Sequence, residues 1–118
     1  MKNGLLFIED EEEIRELIIE RLQDDGFKGE IFEASDPVKG LDLFHNHKDQ
    51  IGFVICDYYL PIQNGNDLCK MIKENSSDVK IICLTGDTTV SLENHKGEVD
   101  LVLYKPEGID ELSELLKE

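Results

Sequence analysis

Five polar or charged residues stand just after short apolar runs. Glu9 and Asp10 follow Leu5-Leu6-Phe7-Ile8, and Asp57 follows Phe53-Val54-Ile55-Cys56. Thr85 follows the run ending at Leu84, and Lys105 follows the one through Leu103. Three carboxylates gathered at one place repel one another, so their protons are held more tightly or a cation neutralises them. Oxygen donors without His or Cys nearby favour a hard ion, and Mg²⁺ takes one or two carboxylates plus waters and phosphate oxygens. A lysine and a hydroxyl on the same rim suit phosphoryl oxygens. An aspartate beside the metal can itself be the nucleophile, giving an aspartyl phosphate. The chemistry implied is phosphoryl transfer to Asp57.

Each residue also has a plainer reading. Asp10 fits a helix N-cap, with Glu13 as its capping-box partner. Glu9 fits a solvated charge, Asp57 the start of a turn, Thr85-Gly86 a turn, and Lys105-Pro106 a surface loop. What the plainer readings leave unexplained is one such residue at each of several strand ends.

The elements that would position them alternate. Gly4–Ile8 reads as a strand buried on both faces. A helix follows with Ile14, Leu17, Ile18 and Leu22 on one stripe, ending at Gly26. Gly29–Ala34 reads as a second strand, with Glu30 and Glu33 marking an edge. Ser35-Asp36-Pro37 starts a helix whose buried face carries Val38, Leu41 and Phe44. Phe53–Cys56 is a third strand, and Gly65–Asn75 a helix with Leu68, Met71 and Ile72. Val79–Leu84 is a fourth strand and Thr88–His95 a weakly patterned helix. Val99–Leu103 is a fifth strand, before a helix with Ile109, Leu112, Leu115 and Leu116. Strand–helix alternation of this kind predicts an α/β fold with a parallel sheet and helices on both faces. Ligands bind such sheets beyond the carboxyl ends of the strands, where the five residues lie.

Composition narrows the class. The 118 residues predict one domain over 1–118, since domains run to about 100–200 residues. Twelve Lys and Arg against 27 Asp and Glu give a net charge of −15. That excludes the clustered cations of a nucleic-acid surface and a basic membrane anchor. The first apolar run is four residues long, too short for a signal peptide or a membrane span. Three cysteines, with no CxxC pair, suggest a reducing compartment and no zinc site. These features predict a cytoplasmic protein without membrane insertion.

The same residues resemble the receiver domain of two-component response regulators, the CheY-like family. The likeness covers the whole chain. It rests on Glu9-Asp10, on Asp57-x-x-Leu60-Pro61-x-x-x-Gly65-x-x-Leu68, on Thr85-Gly86 and on Lys105-Pro106. The resemblance implies a doubly wound (βα)5 flavodoxin-like fold, a five-stranded parallel sheet of order 2-1-3-4-5. It implies that Asp57 is the phosphoacceptor and that Asp10 ligates Mg²⁺ directly, with Glu9 nearby or acting through water. The backbone carbonyl of Tyr59 would be a further ligand. Lys105 would pair with Asp57 and then with its phosphoryl group, to which Thr85 would donate a hydrogen bond. The donor would be a sensor histidine kinase or phosphotransfer protein. The readout would be a downstream protein partner binding a surface of the fourth helix, fifth strand and fifth helix. Such a domain phosphorylates itself and turns over no separate metabolite, so it is not an enzyme in the ordinary sense.

The sequence departs from the family pattern in places. Val102 stands where the family usually has a switch aromatic, and strand alternation is expected to point Tyr104 differently. Tyr59 and Asp87 flank the route of the hydrolytic water, so Tyr59 is expected to shield the phosphoaspartate. His45 and His47 read as complements to a helix dipole, and His95 as a surface residue. Cys56 and Cys83 read as inert core residues, although Cys56 adjoins Asp57. Glu11-Glu12-Glu13 reads as a solvated first turn. One alternative is a pseudo-receiver, an interaction domain of this fold not regulated by phosphorylation. Another is a phosphatase of the haloacid dehalogenase type, disfavoured because Tyr59 stands where that class has a second Asp. A stand-alone regulator and a receiver belonging to a larger protein are both left open.

Overall fold

The computed structural model describes residues 3–57, 65–75, 78–86, 99–104 and 108–116, with backbone alone at 57, 65–68, 108–109 and 113. In chain order the elements are β1 (Gly4–Ile8), α1 (Glu12–Asp24), β2 (Ile31–Ala34), α2 (Pro37–Asn46) and β3 (Ile51–Asp57). Then come α3 (Gly65–Asn75), β4 (Lys80–Thr85), β5 (Leu101–Tyr104) and α4 (Gly108–Leu115). The helix expected at Thr88–His95 lies outside the described residues, so α4 is the last helix of the sequence reading.

All strand pairs are parallel, and the sheet order is β2-β1-β3-β4-β5. The expected order and edge position of β2 hold. Side-chain alternation splits the core between the two faces. Leu6, Ile8, Val54, Cys56, Ile81, Cys83 and Val102 pack with Phe44 of α2 and with Cys69 and Ile72 of α3. Leu5, Phe7, Ile55, Ile82, Leu84 and Leu103 pack with Ile18 and Leu22 of α1 and Leu112 of α4. Both faces are covered, which is why the strands read as unbroken apolar runs.

Local chemistry sets the ends of the elements. Asp36 caps α2, its Oδ1 accepting the Lys39 N–H at 2.8 Å, with Pro37 in the first turn. β2 begins at Ile31, two residues later than expected, where its ladder with β1 begins at Leu5. β5 begins at Leu101 rather than Val99. Before it, the Asp100 carboxylate accepts the Ile81 N–H at 2.7 Å and pairs with Lys73 Nζ at 2.9 Å. β3 and β4 each run one residue beyond their expected ends, so Asp57 and Thr85 close their strands.

Three expected core residues are exposed instead. In α1 the buried line runs through Ile18 and Leu22, with Ile14 and Ile19 packed beside it, and Leu17 is 69% exposed. In α2 the sheet takes Pro37, Gly40 and Phe44, leaving Val38 63% exposed. In α3, Cys69 and Ile72 face the core while Met71 is 39% exposed. Each exposed residue neighbours the true stripe, and a short apolar pattern fixes its rotation only loosely. His45 lies in the last turn of α2, and the His47 ring stacks on Phe32 with centroids 4.4 Å apart.

Candidate functional site

The sheet register sets the level of each candidate residue. Ile8 pairs with Cys56, so Glu9 and Asp57 each stand one residue beyond a shared level. Asp57 pairs with Leu84, and Thr85, the next residue, pairs with Tyr104. Glu9, Asp57 and Thr85 therefore sit at the carboxyl ends of the three central strands. The connection from β1 leads to β2 on one side, and that from β3 leads to β4 on the other. This reversal of strand order opens the crevice in which doubly wound sheets bind ligands. Lys105 directly follows Tyr104 in the sequence; it lies outside the described residues, as do Tyr59 and Asp87.

Glu9 is not a solvated charge. It is 1% exposed. Its N–H donates to the Ala34 carbonyl at 3.0 Å, which carries the β1–β2 ladder one residue past Ile8. Its Oε2 accepts the Glu11 N–H at 3.2 Å. Its carbonyl accepts Arg15 Nη1 at 2.7 Å, and Arg15 Nε donates to Glu33 Oε1 at 3.1 Å on the edge strand. One guanidinium thus ties the turn after β1 to both α1 and β2. A buried carboxylate persists only when its polar atoms find partners.

The expected capping role of Asp10 is overturned. The N-cap of α1 is Glu11, in extended conformation and with no side-chain cap hydrogen bond. The helix starts later because the Glu9 carboxylate takes the Glu11 N–H and Arg15 anchors the Glu9 carbonyl. Asp10 is left exposed beside Glu9.

Carboxylate oxygens of Glu9, Asp10 and Glu11 lie within 4.8 Å of one another. Like charges so close favour a counter-cation, and the all-oxygen donor set fits a hard divalent ion. Glu11 is an addition to the sequence reading, which left it in a solvated turn. Thr85, 1% exposed, ends β4 beside this group of strand ends.

The expected divergence of Tyr104 and Val102 is also overturned. Both pack on the cluster beneath α2 and α3. Residues two apart on a pleated strand share a face, so this is what alternation requires. Tyr104 is half-buried and level with Thr85.

Residues 5–117 match the family model described as the response regulator receiver domain. The chain belongs to that family. This receiver domain is 31% identical over 120 residues to the alkaline phosphatase synthesis transcriptional regulatory protein SphR of Synechococcus elongatus, covering 92% of this chain and 45% of that protein. It is 28% identical over 110 residues to response regulator MprA of a Mycobacterium species, covering 92% of this chain and 46% of that one. The chain thus spans less than half the length of these curated relatives. A solved receiver domain protein from Clostridium thermocellum superposes with a TM-score of 0.85 at 30% identity, covering 96% of this chain and 90% of that one. The receiver domain is a signalling module of two-component systems.

Arg15 and Glu33 were missed in the sequence reading. Arg15 lies one turn into an acidic helix and Glu33 on an edge strand, so only the fold brings them to Glu9. No helix among the described residues is long and apolar enough to cross a membrane.

Proposed function

We propose that residues 1–118 form one cytoplasmic receiver domain, which takes a phosphoryl group onto Asp57 and thereby switches a protein-binding surface. The observation that carries this reading is the register, which sets Asp57 between Glu9 and Thr85 at the rim bearing the acidic cluster. The donor would be a phosphohistidine on a sensor kinase or phosphotransfer protein. An Asp57 carboxylate oxygen forms the new O–P bond as the N–P bond breaks, and the histidine nitrogen keeps the electron pair.

Asp10 and Glu9 would hold Mg²⁺, together with the Asp57 carboxylate and the Tyr59 carbonyl. The metal would supply charge neutralisation for the phosphoryl oxygens. Lys105 would pair first with Asp57 and then with the phosphoryl group. The buried Thr85 hydroxyl would donate to a phosphoryl oxygen. Arg15 would hold the turn carrying the two acidic ligands. The phosphoryl group brings close to two negative charges to the rim. Tyr104, level with Thr85, is placed to respond in the stead of an aromatic at Val102.

The test is intact mass after incubation with acetyl phosphate, with and without Mg²⁺. One added phosphoryl group that requires both Mg²⁺ and Asp57 is expected, and Asp57→Asn removes it. No gain, with Mg²⁺ binding also absent, would make the chain a pseudo-receiver whose partners bind regardless of phosphate.

A further inference from the structure

Cys56 and Cys69 are thiols outside any disulfide, both completely buried, with sulfurs 2.8 Å apart. Cys56 lies on β3, one residue before Asp57, and Cys69 lies on α3. Nothing in the receiver chemistry uses either sulfur. The spacing lies between a bonded S–S distance of about 2.05 Å and ordinary non-bonded contact, so the two sulfurs are within reach of one another. Cys83 supplies an internal comparison. It pairs with Cys56 across the β3–β4 ladder and is also buried, but it lies on a strand rather than on the helix that follows Asp57.

We propose that Cys56 and Cys69 form a redox modification site, closed to a disulfide by a hydroperoxide, and that closure slows phosphoryl uptake. The first thiol, as thiolate, attacks the peroxide oxygen and becomes a sulfenic acid as the O–O bond breaks. Alcohol or water leaves. The second sulfur attacks the sulfenic sulfur, the S–S bond forms and water leaves. Two thiols lose two electrons and two protons, and the peroxide is reduced by the same two electrons. A thiol reductant reverses the step by exchange. The peroxide is small enough to enter during local opening of α3, the kind of fluctuation by which buried groups react.

The bond would join the strand that ends at Asp57 to the helix that follows it, and Asp57 lies within the chain segment so closed. A covalent tie between Cys56 and Cys69 would fix the end of β3, and with it the acceptor, against α3. This half of the inference rests on Asp57 as phosphoacceptor.

The folded chain is treated with hydrogen peroxide, remaining thiols are alkylated in denaturant, and the digest is mapped by mass. Expected is a loss of about 2 Da per molecule and a Cys56–Cys69 peptide pair, both reversed by dithiothreitol. Cys83 is expected to be alkylated. Three intact thiols, stable sulfinic acids, or a Cys56–Cys83 pair would each overturn the site. Phosphorylation by acetyl phosphate is then timed on oxidised and reduced protein. A slower rate that dithiothreitol restores is expected, while Cys69→Ala and Cys56→Ala lose the peroxide sensitivity and Cys83→Ala keeps it. Equal rates in the two forms would overturn the coupling. If reduced protein takes no phosphoryl group, the receiver chemistry fails instead, and the peptide map still decides the disulfide.

Discussion

Arg15 makes two hydrogen bonds that matter at the rim, to the Glu9 carbonyl and to Glu33. A hydrogen bond from a charged donor contributes about 1.5–3 kcal/mol. Arg15→Met is therefore expected to weaken Mg²⁺ binding by about tenfold, with Arg15→Lys recovering part of the loss. Isothermal titration with Mg²⁺ reads this directly, and an unchanged Kd would remove Arg15 from the role. Tyr59→Asn is expected to speed loss of the phosphoryl group, followed as decay of the phosphorylated mass. If the decay rate stays the same, Tyr59 is no shield. That Glu9, Asp57 and Thr85 share the carboxyl ends of the central strands was legible in the sequence, because each ends an apolar run. The N-cap of α1 was not. Capping boxes are defined by spacing alone, and the Glu9 carboxylate that displaces this one is itself turned inward by the fold.

At the scale of elements, strand order and helix faces were legible where apolar runs are continuous. Helix rotation was not, as Leu17, Val38 and Met71 show. A helix of few turns has several stripes of similar apolar content, and its partner surface selects among them. Gly4 tests how tightly β1 and β3 approach. Its N–H donates to the Gln50 carbonyl at 2.8 Å, and a Cβ there would lie 2.6 Å from that same oxygen. The obstacle is backbone at a register shift between the strands, so it has little room to yield. Gly4→Ala is expected to destabilise the fold by about 1–3 kcal/mol, measured by urea unfolding. A change near zero would mean the strand start is free to move. Across the opposite face, Arg21 bonds Asp110 of α4 and, one turn along its own helix, Asp25. These bonds, Asp110's first, raise the guanidinium above its usual value. The contribution is fully present below that usual value and is lost only as pH rises through the raised one.

The whole molecule carries a net charge of −15, and its acids repel one another. Thermal stability is expected to rise with NaCl as this repulsion is screened. At equal ionic strength MgCl2 is expected to raise Tm further, since a ligand that binds only the folded state stabilises it by mass action. Equal melting points in the two salts would speak against a Mg²⁺ site in the acidic cluster. The order β2-β1-β3-β4-β5 has a consequence during translation. β1, β2 and β3 are all made by residue 57, and they form a contiguous three-stranded ladder with β1 at its centre. The outer edge of β3 then waits, unpaired, until residues 80–85 leave the ribosome. A nascent chain halted in that interval presents an apolar strand edge to its neighbours, the form of half-made sheet that chaperones must cover.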